Sequence, residues 1–317
     1  MSSTLVDIAT EKAPTQKVMI DLLTEESPFL ERLPMEPCSD DNINKFEKLT
    51  SVESAKVVKV DEPLPVVNSE TELDSTTISR VGGIIRAGKN LVDMWPTGKD
   101  GYYAKKFTPV LKESGNELEQ TLLYNTFIDA AIKAGNVIDA GGRTADKQNT
   151  MLFIKWGEGE TNGLYNPRLV NSGKMFGMDD VGNGGTYEIY NPDTDSYDLV
   201  YGRYMESFIG AQVANSRNVF AIVNIDLSDD GADGYKNLPT EVMMGRAQTA
   251  VRARPNNTEI WAGSEVVTAM GIEYSGAQMN TRPESAERQN EIDFWNKIPM
   301  LASYNFKENA EAVVTVA

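Results

Sequence analysis

Apolar positions recur along this chain with different spacings, and each spacing predicts a different element. Between residues 4 and 33, Leu5, Ile8, Met19, Leu22, Leu23, Phe29, Leu30 and Leu33 stand at roughly helical steps, broken by Pro14 and Pro28. That pattern predicts short helices in a docked N-terminal arm, with Glu25, Glu26 and Glu31 on the solvated side. From Ile43 to Arg86 the texture turns β-branched and charged: LTSVESAKVVKV, a Pro63/Pro65 corner, then TTISRVGGIIR. These halves predict the limbs of a long hairpin whose tip lies between Asp61 and Asp74. A two-stranded hairpin is marginal by itself in water, so either the chain's own body or a neighbouring copy must cover it. Next, Tyr103, Phe107, Leu111, Leu118, Leu122, Phe127 and Ala131 recur at steps of three and four. They predict an amphipathic helix from Gly101 to Gly135, kinked at Pro109 and strained at Gly115, ~45 Å long if continuous.

The Gly-, Asn- and Asp-rich stretch from Asn136 to Asp198 reads as loops around one strand, Met151 to Trp156. The densest apolar run follows, YDLVYGRYMESFIGAQVANSRNVFAIVNID at Tyr197 to Asp226. Its β-branched and aromatic content predicts two or three strands, with Gly202 and Gly210 marking bends or close backbone approaches and Asn215-Ser216 a turn. LPTEVMMGRAQTAVRARP is a helix with Pro239 and Thr240 near its start and Pro255 beyond its end. Ile260 to Ala262 is a short buried strand, Ser264 caps a helix running towards Gly271, and Phe294 to Phe306 form a closing strand pair. The sum is an α+β fold. No run reaches the ~18 apolar residues of a membrane span.

Length and charge narrow the function. At 317 residues the chain has material for two or more subdomains. Acidic residues outnumber basic ones 47 to 30, for a net charge of −17. Gripping nucleic acid needs clustered Lys and Arg to displace phosphate counterions, so sequence-specific DNA or RNA binding is not expected. An acidic wall near nucleic acid remains compatible with this balance. Histidine is absent and Cys38 is the single cysteine, which excludes imidazole-activated nucleophiles, imidazole zinc sites and an internal disulfide. The start, MSSTLVDIATEK, has no basic segment followed by an apolar core, so no signal peptide is expected.

Candidate chemistry is sparse. In DLSDDGADGYKN, Asp226, Ser228, Asp230 and Gly231 match positions 1, 3, 5 and 6 of a calcium loop. Position 12 is Asn237, where a bidentate Glu is needed, so a solvated acidic loop is the expectation. GEGETNG at Gly157 and GNGG at Gly182 have neither the spacing nor the following helix of a nucleotide fingerprint, and they read as turns. No nucleophile elbow, P-loop or zinc-protease motif is present. No enzyme activity, cofactor or metal is expected.

Other motifs fall in a recognisable order. Trp156-Gly157 ends a strand, and Gly163-Leu164-Tyr165-Asn166-Pro167 and Asp180-Val181-Gly182 follow. A Gly-rich strand then runs from Gly210 through Arg217 to Val223-Asn224-Ile225-Asp226. Upstream, Leu64-Pro65-Val66 and Asn68-Ser69-Glu70 lie on one hairpin limb, with Gly82-Gly83 to Val92-Asp93 on the return. With the arm and the spine helix, this order over about 250 residues resembles the major capsid protein of tailed bacteriophages with the Hong Kong 97-type fold. Two details depart from the pattern: Asn166 separates Tyr165 from Pro167, and Ala211 stands where a larger apolar residue is expected.

The resemblance implies an N-terminal arm at 1–42, an extended loop at 43–90, a peripheral domain with the spine helix at 91–150 and 285–317, and an axial domain at 151–284. It implies a structural, non-enzymatic subunit forming pentamers and hexamers of an icosahedral virion around packaged DNA, with no sequence-specific grip on that DNA and no membrane. Scaffolding and portal proteins are the implied partners, and the host cytoplasm the implied place of synthesis. Candidate intersubunit contacts are Phe46, Leu49, Lys56, Val58, Lys59, Val66 and Val67. Some relatives cross-link a loop Lys to an Asn of an adjacent subunit, a role for which Lys56 or Lys59 is placed, although a solvated Lys is the simpler reading. An encapsulin-like nanocompartment shell and a calcium-dependent β-rich surface or hydrolytic protein are the alternatives.

Overall fold

A computed structural model describes residues 3–60, 63–172, 175, 177–192, 195–229, 234–274, 279–285 and 288–316, with the side chains at 48–52, 177, 183, 279–285 and 288–293 left out. The arm opens with α1 (Leu5–Lys12), whose start is closed by a capping box between Thr4 and Asp7. Pro14 begins a short 3-10 turn leading into α2 (Lys17–Thr24). Pro28 opens α3 (Pro28–Arg32) at a position where its missing N–H costs no hydrogen bond. Leu5, Ile8, Ile20, Leu23, Phe29, Leu30 and Leu33 are buried, so the arm is part of the core. Phe29 packs edge-on against Phe127 and Trp261, with ring centroids 5.4 and 5.1 Å apart.

After β1 (Met35–Pro37), β2 (Ile43–Val52) and β3 (Ser69–Thr77) form a two-stranded sheet of their own. Its register runs from Ile43↔Thr77 to Val52↔Ser69, so the tip is residues 53–68 and not 61–74. The sequence reading placed the return limb too late: TTISRVGGIIR straddles the root of the hairpin. Beyond buried Ile78 the chain re-enters the body as β4 (Ser79–Gly88), which pairs with β10 (Ser196–Val213) from Ser79↔Ile209 to Gly88↔Val200.

The spine follows: α4 (Lys89–Asp93), the 25-residue α5 (Gly98–Leu122), a six-residue π-helical turn (Leu123–Ile128) and α6 (Asp129–Lys133). From Gly98 onward the run is ~54 Å at 1.5 Å per residue. It continues through Pro109, which lies on the exposed face where water can serve the carbonyl left without a donor. Gly115 is a contact point, not a strained one. A Cβ there would lie 2.0 Å from the Leu23 carbonyl oxygen, so glycine lets α2 cross the spine at backbone distance.

The remaining elements are β5 (Val137–Asp139), β6 (Asn149–Lys155), β7 (Thr161–Tyr165), α7 (Pro167–Asn171), β8 (Gly177–Asp180), β9 (Tyr187–Asn191), β11 (Val219–Asp229), β12 (Tyr235–Asn237), α8 (Glu241–Ala250), β13 (Thr258–Gly263), α9 (Ser264–Tyr274), β14 (Met279–Ser285), β15 (Arg288–Trp295) and β16 (Ile298–Ser303). One sheet runs β1-β7-β10-β4, with β8 and β9 also on β10; the other runs β12-β11-β6-β13-β16-β15-β14, with β5 beside β11. The central apolar stretch therefore supplies one strand to each sheet. β10 passes straight through its glycines, which admit neighbours: a Cβ on Gly202 would meet the Tyr187 hydroxyl at 2.4 Å, and one on Gly210 the Ile78 Cγ2 at 2.9 Å.

The central strands β6, β11 and β13 of the second sheet are buried on both faces, which explains their nearly unbroken apolar runs. Leu152, Ile154, Val219, Ala221 and Trp261 face the spine and the arm. Their alternates Met151, Phe153, Phe220, Ile222 and Ile260 face Met244 and Ala247 of α8 and Val266 and Met270 of α9. Residues 151–284, one block in the sequence reading, contribute strands to both sheets, and the closing pair β15–β16 lies in the second. Among the described residues no helix is long and apolar enough to cross a membrane.

Candidate assembly interface

The hairpin is the least covered part of the molecule. Every described side chain from Ser69 to Ser75 is exposed. The tip carries Val57, Val60, Leu64 and Val66 at 104, 102, 80 and 93 % exposure. Among the residues singled out from sequence, Lys56, Lys59, Val66 and Val67 are exposed, Phe46 and Val58 half-buried, and the Leu49 side chain lies outside the described residues. The structure strings them along β2 and the tip and does not gather them into one pocket.

The root is rigid. The Asn44 side-chain amide donates to Gln212 Oε1 (2.6 Å), and Gln212 Nε2 donates to Asn162 Oδ1 (2.8 Å), all three residues being buried. Asn166 Nδ2 donates to Asn42 Oδ1 (2.6 Å), and the Ile78 N–H to the Asn42 carbonyl (3.0 Å). This amide chain ties β2 to β7 and β10, and sequence reasoning missed it. Its one legible trace is the polar Asn44 within a β-branched run. Breaking the Asn44–Gln212 and Gln212–Asn162 bonds would leave buried polar groups orphaned, so they resist displacement.

The buried acids serve the body in the same way. Glu119 on the spine accepts the N–H groups of Phe29 (3.1 Å) and Leu30 (3.2 Å) and the Ser303 hydroxyl. Glu259 accepts both indole N–H groups of Trp156 (2.9 Å) and Trp261 (3.1 Å). Glu311 accepts the Tyr124 and Thr150 hydroxyls. Burial raises the pKa of all three against these donors, and that of Glu311 reaches about 6. Glu119 pins the arm and Glu311 the C-terminal segment to the body, while half-buried Glu259 joins two indoles of the body with Arg32 of the arm 3.7 Å away. Burial also pushes the Cys38 thiol up to about 11, away from a reactive thiolate.

A cavity of about 530 Å³ is lined by Asp226, Ser228, Ser264, Glu265, Lys147 and Asn309. Its central acid is occupied: Asp226 accepts the Ser228 N–H (3.0 Å) and hydroxyl (2.6 Å) and the Thr144 hydroxyl (2.8 Å). Burial pushes the Asp226 pKa up, but these bonds outweigh it and hold the pKa below the usual carboxylate value. Asp230 and Gly231 of the calcium-like pattern lie outside the described residues. Among the described residues no group of three metal-ligating side chains occurs. Gly159, Gly182 and Gly184 have positive φ, as the turns expected of the two Gly-rich motifs require.

The described body thus has its buried carboxylates bonded internally and carries an exposed two-stranded limb. The chain belongs to the family of the major capsid protein GP7, whose model matches residues 11–314. It is a shell-forming capsid protein of the tailed-phage type. In solved structures its fold is similar to a chain of bacteriophage Epsilon15, at 14 % identity and a TM-score of 0.57 over 89 % of this chain and 87 % of that one. It is also similar to the capsid of bacteriophage JBD30, at 10 % identity and a TM-score of 0.52 over 92 % and 94 %. An encapsulin from Synechococcus elongatus aligns over 63 % of this chain and 88 % of its own, at 11 % identity and a TM-score of 0.43. No curated protein matches the chain.

Proposed function

We propose that the chain closes into pentamers and hexamers of an icosahedral phage head, with the hairpin of each copy laid over the next. The observation that carries this is the bare two-stranded limb, with four tip side chains at least 80 % exposed above a root locked by buried amides. The limb is tied at its root but is uncovered, and an identical copy is the surface a closed ring supplies. Phe46, Leu49, Lys56, Val58, Lys59, Val66 and Val67 are then contact residues. The sheet that holds β10, with the spine, corresponds to the peripheral domain, and the sheet that holds β11 to the axial one.

The subunit has no catalytic role, and it depends on scaffolding and portal proteins to close correctly around DNA. The excess of acidic residues, 47 to 30, suits a wall facing packaged DNA without adhering to it. Synthesis takes place in the host cytoplasm and the mature protein resides in the virion. The test is deletion of residues 56–72, imaged by electron microscopy beside the full chain with its scaffold. The expected product is a folded subunit without particles; particles at the yield of the full chain would refute the role of the hairpin.

A further inference from the structure

A ring closes with one kind of contact, whereas a shell needs a second that joins ring to ring. A second two-stranded ribbon stands off the body. β9 pairs with the first residues of β10 from Asn191↔Ser196 to Tyr187↔Val200, while β4 reaches β10 only as far as Val200. Among the described residues, β9 is the strand that pairs with 196–199. Tyr190 and Tyr197 face each other across this ribbon, ring centroids 5.5 Å apart, and remain 50 and 68 % exposed beside exposed Leu199. Glu188 and Asp195 share their face and Asp198 lies on the other, all three exposed. The Tyr190 hydroxyl donates to Asp195 (2.9 Å) and Asn191 Nδ2 to Asp198 (3.2 Å), bonds that tie the two strands of the ribbon together.

The opposite kind of surface lies at the start of the spine. Leu91 and Met94 are 54 and 83 % exposed. Beside them Lys105 sits 5.4 Å from the Trp95 ring centroid and Lys106 5.9 Å from that of Tyr102, the two rings stacked edge-on at 5.3 Å. Both lysines are exposed, and neither is ion-paired with a carboxylate among the described residues. The two surfaces are neighbours at one end of the subunit: Tyr201, just after the ribbon, donates to Asp93 of α4 (3.2 Å).

Resting on the shell-forming reading above, we propose that the paired strands 187–191 and 196–199 of one copy, with Tyr190, Tyr197, Glu188 and Asp195, dock on the basic, apolar patch of Leu91, Met94, Lys105 and Lys106 of another copy. The occupant is a second copy of this chain because the two patches complement each other in charge and in apolar content. Since they lie side by side at one end, the contact repeats around a nearby local axis and closes over a few copies, joining subunits of different rings.

The test uses the full chain with its scaffold, with wild type and the 56–72 deletion alongside. Tyr190→Ser/Tyr197→Ser is expected to stop at single rings by sedimentation and electron microscopy, with closed shells falling at least ten-fold. Closed shells at wild-type yield would overturn the inference while leaving the hairpin role intact. Loss of the rings themselves in a folded variant would also overturn it, since the ribbon would then be a ring-forming contact. A wild type that forms no assembly would overturn this inference and the shell reading together. Charge exchange covers a folding failure: Glu188→Lys/Asp195→Lys and Lys105→Glu/Lys106→Glu should each depress shell yield alone and recover it when combined in one chain, where every copy presents both exchanged surfaces. Absence of recovery in the combined, folded chain would overturn the pairing.

Discussion

Replacing Leu64 and Val66 by serine separates folding from assembly. At 80 and 93 % exposure these side chains touch almost nothing in the isolated subunit, so the double variant should change unfolding free energy by no more than about 0.5 kcal/mol. On a neighbour, fully burying a Val or Leu contributes about 1.5–3 kcal/mol. Two such losses amount to roughly 3–6 kcal/mol per contact, or about 10²–10⁴-fold in its association constant at ~1.4 kcal/mol per decade. Imperfect burial lowers the figure, and repetition of the contact round a ring raises its effect on assembly. Urea unfolding of the isolated subunit and light scattering across a dilution series read the two quantities separately. Loss of several kcal/mol from the isolated subunit would show that the tip folds back on its own chain. A critical assembly concentration within three-fold of wild type would show that no copy covers it. Either result refutes the reasoning.

Two further outcomes concern the body. Gly115→Ala places a Cβ 2.0 Å from the Leu23 carbonyl oxygen and should cost about 1–3 kcal/mol as α2 is pushed off the spine, read as a lowered midpoint in urea. Glu311, raised by burial to about 6 from an ordinary 4.5, contributes stability that is full below pH 4.5 and lost as the pH rises through 6. For Glu311→Gln the contribution is constant, so the variant should gain on wild type by up to about 2 kcal/mol between pH 4.5 and 7 in paired urea titrations; a pH-independent difference would show that this carboxyl does not titrate there.

Local order was readable one segment at a time. Pro14 and Pro28 divide the arm where expected, since a proline's missing N–H acts on its own helix regardless of context. The surroundings of Pro109 and Gly115 were not readable in that way: exposure of one and close contact of α2 with the other are properties of a neighbour, invisible along the chain. The hairpin was legible from its composition and its tip was not, because cross-strand register depends on which residues the root amides hold, and Gln212 and Asn162 lie far from Asn44 in sequence.

The amino-acid order by itself determined the helical arm, the long amphipathic spine, the β-rich core, the acidic balance and the poverty of catalytic side chains. These follow from periodicity, charge and residue type, which act over a few neighbouring positions. Only the tertiary structure decided that β10 and β11 part into different sheets, that the buried carboxylates lock the arm and the C-terminal segment, and which edges of the subunit are left uncovered. Burial and strand pairing are set by residues distant in the chain, and an uncovered surface is known only when everything that could cover it has been placed.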